Sequence, residues 1–256
     1  MHRYCSTMDS DQLIQVNEDQ LILALEQTLS PDQGPLDSSC RYLETLAQNE
    51  DSFAWLAAVL ADLAAATAAS AAPRSPAVRQ QAAIQLKNLV RHKDGGRCRW
   101  LQMDPLHRQR VKSTLLAGLL GAGGTDCNAQ SCHFAGEGLS QCIQAVAELE
   151  LPQGTWPDLL PQLVALAIAD AAAAAAAIVG SLKTLGYICE TVNSSCLGPG
   201  QLNQILTAVV HGLRAGRGAE VSLWAARALS AALALAAANF ARRPERNHIM
   251  EVRPVR

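Results

Sequence analysis

The stretch QLNQILTAVVHGL, Gln201 to Leu213, decides how this chain folds. Leu202, Ile205, Leu206, Val209, Val210 and Leu213 recur at helical spacing and form a wide apolar stripe. A stripe of that width covers more than one neighbour, as a helix needs when it packs both on its own partner and on the next pair. Downstream, after a glycine-containing break, a second helical segment runs from Glu220 to Phe240. Upstream, the same alternation predicts helices over Pro157 to Ile168 and Ala171 to Thr191. Earlier still, Pro105 to Leu120 pairs with Leu139 to Glu150 across the glycine-rich polar loop Gly121 to Gly138.

The N-terminal part follows the same pattern. Asn17 is a capping residue, with Gln20 three positions on as in a capping box. Leu21, Ile22, Leu25 and Leu29 form an apolar face, and Ser30-Pro31 ends it. Further helices are predicted over Leu36 to Gln48, Phe53 to Ala66 and Val78 to Val90. The linker Ala68 to Pro76 separates the last two, and His92 to Gly96 breaks the chain again. In TWPDLLPQLV, Thr155 or Trp156 caps, Pro157 suits the first turn, and Pro161 is expected to kink the helix by removing a donor. Glu245 to Val252 reads as the start of another helix.

Second helices of successive pairs begin near Val78, Leu139, Val179 and Val221. The last two intervals are about 40 residues, the period of HEAT and armadillo arrays. The expected fold is therefore all-α: a HEAT-repeat α-solenoid, a right-handed superhelix of antiparallel helix pairs. Residues 1–16 read as a flexible extension, 17–252 as about five repeats plus the start of a sixth, and 253–256 as a divergent end.

Composition agrees with a helical array. The chain is 49% hydrophobic but only 4% aromatic, because alanine supplies much of the apolar share, and alanine is the best helix former. Charge is unevenly spread around a net of -2. Residues 1–70 hold eleven acids against Arg3 and Arg41, whereas Ile84 to Lys112 holds eight basic residues against Asp94 and Asp104. Such asymmetry steers partners of opposite charge. A nucleic-acid ligand is not expected, since few aromatics interleave the basic run. Cys40, Cys142 and Cys189 fall in apolar helical runs and read as small buried hydrophobes. Cys127, Cys132 and His133 lack a second pair of ligands, so no metal or other cofactor is expected. Leu159 to Leu182 is interrupted by Pro161, Gln162 and Asp170, and Ser222 to Phe240 by Arg227, so membrane insertion is not expected of either. Histidines 2, 92, 107, 133, 211 and 248 are scattered, and no nucleophile elbow, Walker loop or dinucleotide fingerprint occurs. No enzymatic activity is expected.

Several motifs resemble successive parts of the importin-beta (karyopherin-beta) family. They are AAIQLKN (Ala82 to Asn88), RWLQMD (Arg99 to Asp104), SQCIQAVAELELP (Ser140 to Pro152), TWPDLLPQLV (Thr155 to Val164), TLGYICETV (Thr184 to Val192), NQILTAVVHGLR (Asn203 to Arg214) and ANFARRPERNHIMEV (Ala238 to Val252). They stand in the family's order and near its spacing, with its N-terminal region falling at about 36–120. The resemblance implies a nuclear transport receptor that binds Ran-GTP and the Phe-Gly repeats of nucleoporins, in the cytoplasm, the nucleus and the nuclear pore. The alternative function is a generic HEAT scaffold for protein interactions without transport activity.

Carried over residue by residue, Lys87, Asn88 and Lys93 match a Ran-facing pattern on the family's second helices. Leu206, Thr207 and Val210, with Glu245, His248 and Ile249 on the next helix, match its nucleoporin groove between first helices. His248 stands where the family carries an aromatic, and its smaller polar ring is expected to weaken that pocket. The family's surface for importin-alpha and cargo lies mostly in later repeats, so that binding is not expected here.

Overall fold

The computed structural model describes residues 17–66, 75–121, 129–169 and 175–236. It begins with α1 (Glu18–Gln27), α2 (Gln33–Gln48), α3 (Glu50–Ala65) and α4 (Pro76–Arg91). A hairpin of β1 (Lys93–Asp94) and β2 (Arg97–Cys98) and the single turn α5 (Arg99–Gln102) lead into α6 (Pro105–Gly121) and α7 (Ala129–Glu150). A 3-10 turn, Leu151–Gln153, precedes α8 (Leu159–Ile168) and α9 (Ala175–Thr191). A second 3-10 turn, Ser194–Cys196, precedes α10 (Pro199–Gly212) and α11 (Ala219–Ala236).

Local chemistry accounts for the helix starts. The Asn17 side chain accepts the Asp19 N–H at 2.9 Å, and Glu18 and Asp19 place negative charge at the positive end of α1. Asn49 accepts from both Asp51 and Ser52 to open α3, and Ser75 accepts from Val78 with Pro76 in the first turn of α4. At α10 the Gln201 side chain accepts the Gly198 N–H at 2.9 Å.

The helices stack in two rows. The pairs α3–α4, α6–α7, α8–α9 and α10–α11 are each in contact. The second helices α4, α7, α9 and α11 each touch the next along a continuous row, and the first helices pack as α3 on α6 and α8 on α10. One buried apolar cluster runs through the array from Leu21 to Ala236. Small residues set its depth. A Cβ at Gly118 of α6 would fall 2.6 Å from the Ala65 Cβ, so a side chain there would drive α6 off α3. That close approach explains a glycine inside a helix, where it otherwise costs roughly 1 kcal/mol.

Several sequence expectations change. Helix α7 starts at Ala129, ten residues before the expected Leu139, so the C-terminal half of the Gly121 to Gly138 loop is helical. Helix α8 starts at Leu159 with Asp158 in the capping position, and Trp156 is buried rather than capping. Pro161 is then the third residue of α8, where the N–H has no intrahelical acceptor anyway, so the expected cause of a kink is absent. The break at His92 to Gly96 is a paired hairpin, whose turn residues Gly95 and Gly96 have φ of 54° and 82°. Cys40 is exposed, while Cys142 and Cys189 are buried as expected. Helix α11 is long and apolar enough to cross a membrane by length and composition, but it packs on α9 and α10. Residues 1–16, Cys127, most of the Ala68 to Pro76 linker and residues 237–256 lie outside the described residues.

Candidate protein-binding face

A polar and aromatic strip crosses the row of second helices. On α4, Lys87 and Arg91 are one turn apart and both reach α7. Lys87 Nζ donates to Gln141 Oε1 at 3.0 Å; Arg91 donates to Gln144 at 3.2 Å and to Glu148 at 2.9 Å. On α7, Glu137, Gln141, Gln144 and Glu148 follow one another every three or four residues, so they share a face. Gln141 passes the chain on to Glu137 at 3.2 Å, and Gln144 donates to Thr191 of α9 at 3.0 Å.

Glu137 carries the strip onto α9. It accepts a short hydrogen bond from the Tyr187 hydroxyl and pairs with Lys183 Nζ at 3.3 Å. Burial alone would raise its pKa. The hydrogen bonds from Tyr187 and Gln141, with the Lys183 charge, outweigh that and hold it below the usual carboxylate range. Tyr187 is pushed the other way, by burial and by the carboxylate it donates to. From α9 the strip reaches Trp224 of α11: Lys183 Nζ lies 4.4 Å from its ring centroid, Arg227 lies at 4.6 Å, and Tyr187 meets it edge-on at 6.4 Å.

The Ran-facing residues expected from sequence do not form one cluster. Lys87 is half-buried against α7. Asn88 is exposed on a different side of α4. There it lines a groove of about 320 Å3 with Cys40 and Leu43 of α2, Leu56 of α3, and His92. Lys93 is exposed on the hairpin, paired in register with Cys98. Of the nucleoporin-groove residues, Leu206 is buried, Val210 is half-buried and Thr207 is exposed on α10. Glu245, His248 and Ile249 lie outside the described residues. Arg91, Gln141, Gln144 and Trp224 were missed by sequence reasoning. The four-residue spacing of Lys87 and Arg91 and the repeating acids and amides of 137–148 are signals that could have found the first three; no such signal marks Trp224.

Part of the basic run is spent inside the protein. Glu150, fully buried at the end of α7, accepts from Lys112 at 2.7 Å, Arg108 at 3.2 Å and Trp100 at 3.0 Å. Lys112 also donates to the Thr155 carbonyl at 3.2 Å and lies 5.2 Å from the Trp156 ring centroid. Arg99 is buried over Phe53 and donates to the Ala47 carbonyl at 2.6 Å. Arg110 pairs with Asp62 at 3.2 Å. The cluster of basic letters thus splits: Arg99, Arg108 and Lys112 turn inward, while Arg91, Lys93, Arg97 and Arg110 stay exposed.

Two stacked rows of helices, bridged by side chains along one of them, define a HEAT-type α-solenoid, a class whose contact surfaces span neighbouring repeats. No family model matches the chain. Importin subunit beta-1 of Schizosaccharomyces pombe is 35% identical over 234 residues, which is 89% of this chain and 25% of that protein. Importin subunit beta-1 of Arabidopsis thaliana is 37% identical over 180 residues, 68% of this chain and 19% of that protein. Among solved structures, importin beta in an ammonium sulfate condition aligns with a TM-score of 0.74 and 31% identity, over 91% of this chain and 26% of that one. The Kap95p structure, in which binding induces the switch loops of RanGDP to adopt the GTP-bound conformation, aligns with a TM-score of 0.73 and 27% identity, over 93% of this chain and 26% of that one. This chain belongs to the importin-beta family. It spans a quarter or less of the length of these curated relatives.

Proposed function

We propose that this chain is the N-terminal HEAT region of a nuclear transport receptor and binds Ran-GTP and Phe-Gly nucleoporins in protein import. The observation that carries the reading is the alignment of 93% of the chain with Kap95p, whose structure concerns the switch loops of Ran. In this reading the chain acts as a non-enzymatic binding surface, in the cytoplasm, the nucleus and at the nuclear pore. Lys87, Asn88 and Lys93 are the candidate Ran contacts. Leu206, Thr207 and Val210 form one wall of a nucleoporin groove whose other wall is Glu245, His248 and Ile249. Residues 17–252 hold about five HEAT repeats plus the start of a sixth, and the importin-alpha surface lies mostly in later repeats.

The test is a pull-down with Ran loaded with GTP or with GDP. GTP-selective capture supports the receptor, and reversal of charge at Lys87 and Lys93 should weaken it while circular dichroism stays unchanged. Capture of neither form would favour a HEAT scaffold without transport activity.

A further inference from the structure

A groove of about 550 Å3 runs between α9 and α11, at one end of the polar strip. Its floor is made of small residues. Gly186 approaches α11 so closely that a Cβ there would sit 3.3 Å from the Ala228 Cα, and Ala231 continues the floor along α11. The rim holds Trp224 with a cation over it from each helix, Lys183 and Arg227. These two cations differ in what remains of their charge. Lys183 is buried and neutralised by Glu137 at 3.3 Å. Arg227 is exposed, and among the described residues no carboxylate pairs with it.

A guanidinium resting on an indole keeps its in-plane N–H donors free and loses little further freedom on meeting a planar acid. The apolar floor beside it accepts an aliphatic side chain. Glu190 is also exposed on the groove and offsets part of the Arg227 charge, which limits the ligand to a single carboxylate. We propose that this groove docks an extended partner segment in which one carboxylate, seated on Arg227, adjoins an aliphatic side chain that lies over Gly186 and Ala228. The proposal is independent of Ran binding and stands or falls on the isolated chain.

The probe is a fluorescein-labelled peptide of sequence Gly-Ser-Leu-Glu-Leu-Ser-Gly, read by polarisation against the same peptide with Gln or Lys in place of Glu. The Glu peptide should bind about fivefold more tightly than the Gln peptide, the worth of one charge-assisted contact at a half-open site. Arg227→Gln should erase that difference with circular dichroism unchanged, because Arg227 is exposed. Arg227→Lys should restore only part of it, since an ammonium lacks the planar fork. Equal binding of the Glu and Gln peptides, tighter binding of the Lys peptide, no binding of any, or an unaffected Arg227→Gln variant would each overturn the proposal. So would self-association of the chain that Arg227→Gln abolishes, which would give the groove to a second copy.

Discussion

Replacing Glu150 with alanine tests the energetics of the array most directly. Its carboxylate is fully buried and holds three donors: Lys112 at 2.7 Å, Trp100 at 3.0 Å and Arg108 at 3.2 Å. The Lys112 and Arg108 side chains are only 7% and 14% exposed, so water can replace little of what the carboxylate supplies. Removing one partner of a buried ion pair costs about 3–5 kcal/mol, because the remaining charge is left in a low dielectric. Trp100 losing its acceptor pushes toward the upper end, by about 1–3 kcal/mol for a buried donor. Relief comes from the Thr155 carbonyl and the Trp156 ring, which still hold Lys112. We therefore expect a loss of about 4 kcal/mol, a large share of the roughly 5–15 kcal/mol that stabilises a domain. Urea denaturation gives the total, and amide hydrogen exchange should place the loss in α6 and α7, since solenoid repeats fail locally. The double replacement Glu150→Met with Lys112→Met should recover part of it, because the loss reflects a stranded charge rather than the net worth of the pair. A single-alanine loss under about 1 kcal/mol, or one spread evenly over the chain, would refute the reasoning.

Three further outcomes are expected. Gly118→Leu should destabilise the chain by at least about 1–3 kcal/mol in urea, since even its Cβ would meet the Ala65 Cβ at 2.6 Å. Because Glu137 has a folded pKa below its unfolded value, it contributes stability above pH about 4.3 that is lost as pH falls through the folded value. Thermal melts at pH 7 and pH 3 should thus show Glu137→Gln costing more stability at neutral pH than in acid. Cys142 and Cys189 are buried, which pushes each thiol up to about 12, so iodoacetamide at pH about 8 should label exposed Cys40 before these two, which wait until the fold opens. Mass mapping of the alkylated peptides reads the order.

The helical array was legible because its signal is local and repeated. The stripe from Leu202 to Val209 became the buried face of α10, and the pairings of α6 with α7, α8 with α9 and α10 with α11 follow the order of the apolar segments. Boundaries were less legible where no side chain caps: Thr155 or Trp156 was expected to open the helix, but Trp156 is buried and α8 starts after Asp158, which makes no side-chain capping bond. Cys40 shows the limit of composition, since an apolar neighbourhood in sequence does not tell which side of a helix meets the core.

By itself the sequence determined that the fold class is all-α, that its helices come in pairs, and that its motifs belong to the importin-beta family. Periodicity and caps act over one or two turns, and collinear motifs persist through changes in packing. Only the tertiary structure decided which charges remain outside. Lys112 and Arg99 vanish into the core, Lys87 and Arg91 bridge to α7, and Arg227 is left on the surface over Trp224. The partners of Lys112, Arg99, Lys87 and Arg91 sit on other elements, tens of residues away, and nothing local in the chain specifies which helix face a neighbouring repeat will cover.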